Sequence, residues 1–271
     1  MKRDIEFSKM HGLGNDFVII NLLDHPIEMT SLPIEKLAHR YLGIGFDQLI
    51  TIEPSTKADF FCRIFNADGT QAEQCGNGLR AVARFLHEEK KVASPTFTLE
   101  TIAGVFPVLI KDYNHIRLTL NSPEVLEKEL KLPFGTITII STGNPHAILK
   151  VEDIDGIAVT PIAALIAAEP HFTHGVNVGF LQVLTKRQAR LRTVERGVGE
   201  TLACGSNACA AAAAGIVNDW LENPVTIEFR HGSLTIEWEG PGKPLHMTGP
   251  ATLVFKGIIP PAVLAAELLN D

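Results

Sequence analysis

The strongest constraint on how this chain folds is that it repeats itself once. Cys75-Gly76 recurs as Cys204-Gly205 and Gly14-Asn15 as Gly143-Asn144, each at a spacing of 204 − 75 = 129 residues. In that register Gln48 corresponds to Asn177, Arg63 to Arg192 and Asn66 to Glu195. After a slip of one residue, Thr98-Leu99-Glu100 with Gly104 matches Thr226-Ile227-Glu228 with Gly232. Matches that keep one order and one spacing imply two similar halves, residues 1–120 and 121–254. Two copies are too few to stack as a solenoid, so a pseudo-twofold pair of lobes is expected. At 271 residues the chain is long enough for each lobe to bury a core of its own.

Local patterning points to many strands and few helices. Period-two alternation or β-branched enrichment marks strands at Ile5–Met10, Asn15–Asn21, Gln48–Ile52, Phe60–Phe65, Phe97–Thr101, Val105–Ile110 and Ile116–Leu120. The second half shows the same at Thr136–Ile140, Ala147–Val151, Val176–Leu184, Ala189–Val194, Val225–Phe229, Leu234–Trp238 and Ala251–Phe255. Helical periodicity is confined to Pro33–Tyr41, Gly76–Lys91, Pro161–Ala168, Ser206–Trp220 and a short final stretch, Pro261–Leu269. Strands interrupted by a few helices make an α+β protein.

Composition closes off other classes. The net charge is −7 with Lys and Arg scattered, so there is no basic face for a nucleic-acid backbone. The first residues are polar, with no apolar region of a secretory signal. The longest strictly apolar run, Ala208–Val217, is ten residues and cannot span a bilayer, so no membrane partner is expected. Four cysteines without a CxxC pair form neither a disulfide nor a zinc framework, and the chain reads as a protein of the reducing cytoplasm.

In that compartment a placed cysteine is a candidate for chemistry. Each half sets its Cys-Gly just before a helix, in Ala72-Glu73-Gln74-Cys75-Gly76-Asn77-Gly78 and Thr201-Leu202-Ala203-Cys204-Gly205-Ser206-Asn207. A helix start offers N–H donors and a partial positive charge, which attract a carboxylate and favour thiolate over thiol. Two thiols on opposite sides of one carbon suit racemisation or epimerisation: one removes a proton from a stereocentre and the other delivers one to the opposite face. The carbanion forms beside a carboxylate, whose growing charge the helix-end donors would hold. Neither pyridoxal phosphate nor a metal is needed, and no cofactor is expected. Cys62, in an apolar run, and Cys209, among alanines, read as small core thiols.

The same segments resemble the diaminopimelate epimerase family. They are His11-Gly12-Leu13-Gly14-Asn15-Asp16-Phe17, Phe65-Asn66-Ala67-Asp68-Gly69, Cys75-Gly76-Asn77-Gly78-Leu79-Arg80, Gly143-Asn144-Pro145-His146 and Gly175-Val176-Asn177-Val178-Gly179-Phe180. Glu195-Arg196-Gly197-Val198-Gly199-Glu200-Thr201, Ala203-Cys204-Gly205-Ser206 and Met247-Thr248-Gly249-Pro250-Ala251 complete the set, which runs from about residue 6 to 257. The resemblance implies two lobes, each a mostly antiparallel sheet wrapped round a central helix, the first completed by segment 255–271, with a substrate in the cleft between them. It implies cofactor-independent interconversion of LL- and meso-diaminopimelate, for lysine and peptidoglycan precursors, by a homodimer. Cys75 and Cys204 would be the acid/base pair, and the N–H groups of Gly76, Asn77, Gly205 and Ser206 the donors to the reacting carboxylate. Asn15, Gln48, Asn66, Asn144 and Asn177 match substrate-contacting positions. Glu195 and Arg196 would hold the distal amino and carboxylate groups, and His146 would support catalysis. Three positions depart from the family pattern: Asn207 stands where glycine is usual, Gln74 where methionine is common, and Phe46 where a small residue is more usual.

Other readings make separable predictions. A proline or hydroxyproline racemase would use the same two-cysteine logic, but a cyclic imino acid has no distal charges for Glu195 and Arg196 to hold. A redox sensor joining Cys75 to Cys204 would be indifferent to cysteine substitution in any epimerase turnover. A non-catalytic amino-acid-binding protein would bind without isotope exchange.

Overall fold

A computed structural model describes residues 4–24, 27 and 32–264. In chain order the elements are β1 (Ile5–Gly12), β2 (Asn15–Asn21), α1 (Ile34–Ala38), β3 (Gln48–Glu53), β4 (Phe60–Asn66), β5 (Gln71–Ala72), α2 (Gly76–Glu88), β6 (Thr96–Thr101), β7 (Gly104–Asp112) and β8 (His115–Leu120). They continue as β9 (Glu124–Leu132), β10 (Gly135–Ser141), β11 (Pro145–Lys150), α3 (Val159–Ala167), β12 (Asn177–Thr185), β13 (Gln188–Glu195), β14 (Gly199–Thr201), α4 (Gly205–Val217), β15 (Val225–Phe229), β16 (Gly232–Trp238), β17 (Leu245–Gly249), β18 (Thr252–Ile259) and α5 (Pro261–Leu264). The described residues fall into two units. The first lies in Met1–Gly12, Asp16–Ile116 and Pro250–Asp271, the second in Leu13–Asn15 and Arg117–Gly249.

In the first unit β18 pairs antiparallel with β1, and β1 is also hydrogen-bonded to β2. β2 runs parallel to β3, Phe17 opposite Gln48, and β3 antiparallel to β4, Ile50 opposite Ile64. β4 takes β5 antiparallel at one end and β6 parallel at the other, and β6 and β7 form a hairpin closing at Thr101 and Gly104. The second unit repeats this ladder by ladder. β9 and β10 are antiparallel, as are β10 and β11. β11 runs parallel to β12 with His146 opposite Asn177, and β12 antiparallel to β13 with Gly179 opposite Thr193. β13 takes β14 antiparallel and β15 parallel, and the β15–β16 hairpin closes at Phe229 and Gly232. Both units are therefore α+β, with mostly antiparallel sheets.

The spacing of 129 is thus a structural register. Phe17–Gln48 becomes His146–Asn177, Ile50–Ile64 becomes Gly179–Thr193, and α2 and α4 are both 13 residues long and begin 129 residues apart. The slip is also located. Phe60 opposite Leu99 is answered by Ala189 opposite Ile227, so one residue is lost in the connection that follows the helix.

Each unit buries its long helix in its own sheet. Leu79, Val82, Ala83 and Leu86 form the fully enclosed stripe of α2, and each leucine contributes about 2 kcal/mol of apolar burial. α4 is enclosed nearly all round, packed against β9–β13 and β15–β17, which is why it is written in Ala208 and Ala210–Ala214. Gly215 completes it, since a Cβ there would sit 2.4 Å from Leu221 Cδ1.

Four strands escape the sequence pattern, the two- and three-residue β5 and β14 and the longer β9 and β17. β9, Glu-Val-Leu-Glu-Lys-Glu-Leu-Lys-Leu, is half-exposed and Lys/Glu-rich, and only its pairing with β10 makes it a strand. β17 is short and ends in Gly249, and pairing with β16 decides it. The helix expected over Pro33–Tyr41 is reduced to Ile34–Ala38, because the chain turns at His39 and docks Gly43, Ile44 and Gly45 by N–H bonds to His39 and Leu37 carbonyls. Of the expected final helix, Pro261–Leu264 is helical and 265–269 lie outside the described residues.

A charge cluster pins the turn before β3 to β1 and β2. Lys9, only 8% exposed, reaches Asp16 Oδ2 at 2.6 Å and also bonds the Gly45 carbonyl. Arg40 grips both Asp16 oxygens at 2.9 and 3.0 Å and Asp47 Oδ1 at 2.6 Å. Burial opposes the Asp16 charge, but the bonds and charges of Arg40 and Lys9 outweigh it and hold its pKa at about 2. A carboxylate with a depressed pKa contributes stability that is complete above the unfolded value of 3.8 and is lost as pH falls toward 2. Asp16→Asn is expected to cost about 2 kcal/mol at neutral pH, lowering Tm by about 5 °C. The deficit shrinks as thermal denaturation is followed from pH 3.8 down through pH 2, and a gap independent of pH would exclude the charge as its source.

Candidate active site

In a sheet, ladder partners share a face, and in the first unit the face under the start of α2 carries Phe17, Gln48 and Asn66 in one row and Ile50 and Ile64 in the next. Gly78 lies directly over this surface. A Cβ there would stand 2.5 Å from Ile50 Cδ1 and 3.4 Å from Phe17 Cε1, so glycine lets the first helical turn settle onto the strands. Cys75 is the N-cap of that helix in extended conformation, and its half-exposed sulfur accepts from the Gly78 N–H at 3.4 Å. A thiolate answers the helix-end dipole as a capping carboxylate would. Gln48 Nε2 donates to Asn66 Oδ1 at 3.0 Å, and Asn66 Nδ2 to Thr70 Oγ1 at 3.1 Å. Gln48 Oε1 is buried with no partner within the protein, an acceptor suited to an ammonium group. Asn77, 2% exposed, is held by the fully buried Arg80, whose guanidinium donates to Asn77 Oδ1 at 2.8 Å and to the Pro250 carbonyl at 3.2 Å.

The second unit places His146, Asn177 and Glu195 in the equivalent row. Cys204 caps α4 in extended conformation and is only 7% exposed. Its Sγ–H points to Glu195 Oε2 at 3.2 Å, with Ser206 Oγ at 3.3 Å on the other side. The second Glu195 oxygen accepts from Thr201 at 2.5 Å. Burial, then the Glu195 charge, push the Cys204 thiol well above its ordinary range, against the pull of the Ser206 hydroxyl and the Asn207 N–H. His146 is fully buried, and desolvation lowers its pKa to about 3, so it is neutral at physiological pH. Its Nε2 lies 3.2 Å from Asn144 Oδ1 and 3.0 Å from Thr142 Oγ1. With an amide oxygen as acceptor, the ring proton belongs on Nε2.

Asn177 Oδ1 accepts the Arg196 backbone N–H at 2.9 Å, and the Arg196 guanidinium donates to the His174 carbonyl at 2.6 Å. Gly175 has φ +77, and a Cβ there would lie 2.4 Å from Arg196 Cδ, so the exposed arginine rests its stem on bare backbone. Glu195 and Arg196 were expected to act together on the distal end of a substrate. The Glu195 carboxylate bonds the Cys204 thiol and the Arg196 guanidinium bonds the His174 carbonyl, as neighbours at a strand end point to opposite faces.

Within the first unit, then, Cys75, Gly76, Gln48, Asn66 and Asn77 gather at the start of α2. Within the second, Cys204, Gly205, Ser206, Glu195, His146, Asn144 and Asn177 gather at the start of α4. Asn15 opens β2 and is half-buried. Sequence reasoning missed Thr142 and Thr201, which orient His146 and Glu195, although Thr201 closes a quoted motif. It also missed the burial of Arg80, which an arginine on the otherwise apolar side of a helix could have signalled. Among the described residues no three His, Cys, Asp or Glu side chains are grouped to hold a metal ion, and no helix is long and apolar enough to cross a membrane.

Comparison with known proteins agrees over nearly the whole chain. The family model described as diaminopimelate epimerase matches residues 7–126 and 138–254. A diaminopimelate epimerase of Aromatoleum aromaticum is 43% identical over 274 residues, covering 94% of this chain and 98% of that protein. One from Pseudomonas aeruginosa is 40% identical over 272 residues, covering 93% and 98%. Among solved structures, a PhzF-family phenazine biosynthesis protein of Bacillus anthracis superposes with a TM-score of 0.74 at 17% identity, over 95% of this chain and 99% of that one. A hydroxyproline epimerase from Agrobacterium vitis gives 0.72 at 14% identity, over 96% and 93%. Those two establish the fold alone, whereas the family match and the close relatives place this chain in the diaminopimelate epimerase family.

Proposed function

We propose that the chain interconverts LL- and meso-2,6-diaminopimelate without a cofactor, Cys75 and Cys204 exchanging protons with opposite faces of one α-carbon, in the supply of lysine and peptidoglycan precursors. The observation that carries this reading is the same cysteine at the N-cap of the buried helix in both units, at one register. The sulfur acting as base takes the α-proton, and the electron pair left behind spreads onto the adjacent carboxylate. The first-turn N–H groups of Gly76, Asn77, Gly205 and Ser206 are the donors that hold this charge. The other sulfur returns a proton from the opposite side. In the resting enzyme Cys204 is the acid, since its S–H is bonded to a carboxylate, and the half-exposed Cys75 is the base.

The remaining groups sort the substrate. Gln48 Oε1 accepts from an ammonium, Asn15, Asn66, Asn144 and Asn177 contribute neutral amides, and Glu195 holds an ammonium beside Cys204. Arg196 grips the distal carboxylate. A site that bonds both ends rejects amino acids lacking the second, because its polar groups would go unpaired. The same reading carries a cytoplasmic location, supported by the four free cysteines, and a homodimer, supported by the family resemblance, and sedimentation of the purified chain measures the second.

Cys75→Ser and Cys204→Ser should each lower turnover by about 10³-fold or more, and wild-type protein in D₂O should place deuterium at the α-carbon of diaminopimelate. Retention of a tenth of the activity by both variants overturns the thiol pair, and deuterium entering proline alone favours the racemase. Arg196→Ala should raise KM about 100-fold with kcat within a few-fold. Gly175→Ala, which pushes the arginine stem aside, should move KM in the same direction by less.

A further inference from the structure

Four buried polar atoms in the second unit have no partner within the protein: His146 Nδ1, Thr193 Oγ1, and Oδ1 and Nδ2 of Asn207. All three side chains are 0% exposed. Leaving such a group unpaired costs about 1–3 kcal/mol, so three together call for a cause. In the first unit the equivalent positions are Phe17, Ile64 and Gly78, apolar or without a side chain. At these three positions, then, one unit is apolar or bare where the other is polar, although Gln48 and Asn66 make the first unit's face polar alongside Phe17.

These groups are neighbours. The Asn207 amide rests on Gly179, where a Cβ would lie 2.4 Å from Oδ1 and 3.3 Å from Cγ. Thr193 is Gly179's partner across the β12–β13 ladder, and His146 shares the same face one step along β11. The exchange is reciprocal: Gly78 over Ile50 in one unit becomes Asn207 over Gly179 in the other. Asn207 also bonds Cys204 through its backbone N–H.

The chemistry supplies the need. When Cys204 gives its proton to the α-carbon, the S–H electron pair stays on sulfur as a thiolate. That sulfur is enclosed and faces the Glu195 carboxylate, so both its burial and its charged neighbour oppose the anion. Cys75 is half-exposed and has water to hand. The other titratable groups nearby give no cation. His146 on β11 is neutral, Cys209 lies further along α4, Arg190 and Arg192 of β13 are engaged by Asp155 and Glu200, and β9, β10, β12, β15, β16 and β17 turn no buried charged side chain toward the helix.

We infer that Asn207 and Thr193 are positioning residues for the reaction, their buried amide and hydroxyl, neither bonded to the Cys204 sulfur, placing beneath the first turn of α4 neutral dipoles that favour Cys204 as a thiolate after it has released its proton. This rests on the two-thiol reading above.

The test pairs Thr193→Val, which removes the hydroxyl at constant shape, with Thr193→Ser, which keeps it, and adds Asn207→Gly. Thr193→Val and Asn207→Gly should each lower kcat about tenfold with KM within twofold. The alkaline limb of the kcat profile should move up by about one pH unit, since a less stabilised thiolate keeps its proton longer. Thr193→Ser should restore both. Thermal stability of Thr193→Val should hold or rise, because an unpaired buried hydroxyl has gone, whereas a purely structural role predicts that activity and Tm fall together. An unmoved alkaline limb in both variants overturns the inference, as does a loss that Thr193→Ser fails to restore. If Cys204→Ser itself keeps its turnover, the thiol pair has failed and this inference with it. If Cys204→Ser is inactive and Thr193→Val matches wild type, only the inference has failed.

Discussion

A helix enclosed by its own sheet has little freedom to slide or turn, and both units of this chain are built round such a helix. The stripe of Leu79, Val82 and Leu86 and the nearly continuous alanine surface of α4 are buried against strands, so the point where each helix begins is set by packing. The residue before that point inherits a fixed backbone and the first-turn dipole. In both units that residue is cysteine. In the two-thiol reading proposed here, the reactivity of Cys75 and Cys204 starts as a packing consequence, and Gly78 and Gly179, which let helix and strands close up, belong to the proposed site as much as the sulfurs do.

On this common scaffold the two units have diverged electrically. Asn66 of the first unit is Glu195 in the second, Phe17 is His146, Gly78 is Asn207 and the buried Arg80 is Cys209. The first sulfur is half-exposed, while the second is enclosed and faces a carboxylate, in a unit whose Thr193 and Asn207 side chains are buried without partners. A reaction that passes a proton from one side of a carbon to the other needs one site charged while the other is neutral. In the proposed two-thiol reaction, unequal surroundings at equal geometry provide that difference before a substrate arrives.

Much of this was legible along the chain. Internal repetition located both helix starts and showed a slip of one residue beyond them, and the apolar runs located most strands, because buried ladders impose period-two patterning that a local window detects. β9 was illegible for the converse reason: its Glu and Lys side chains are solvated, and its strand character comes from β10 alone. The cluster of Lys9, Asp16, Arg40 and Asp47 was illegible too, since it joins residues up to 38 positions apart and nothing in their local sequence marks them as partners.

Residue type and register determined, without coordinates, that two cysteines would cap two related helices and that amides, a carboxylate and a guanidinium would accompany them. Tertiary structure decided which groups meet. It set Glu195 on the Cys204 thiol and sent Arg196 the other way, desolvated His146 into neutrality, and enclosed Thr193 and Asn207 together. A side chain's type travels with the sequence, but its charge state and its partner depend on how much water the fold removes and on which strand lies alongside.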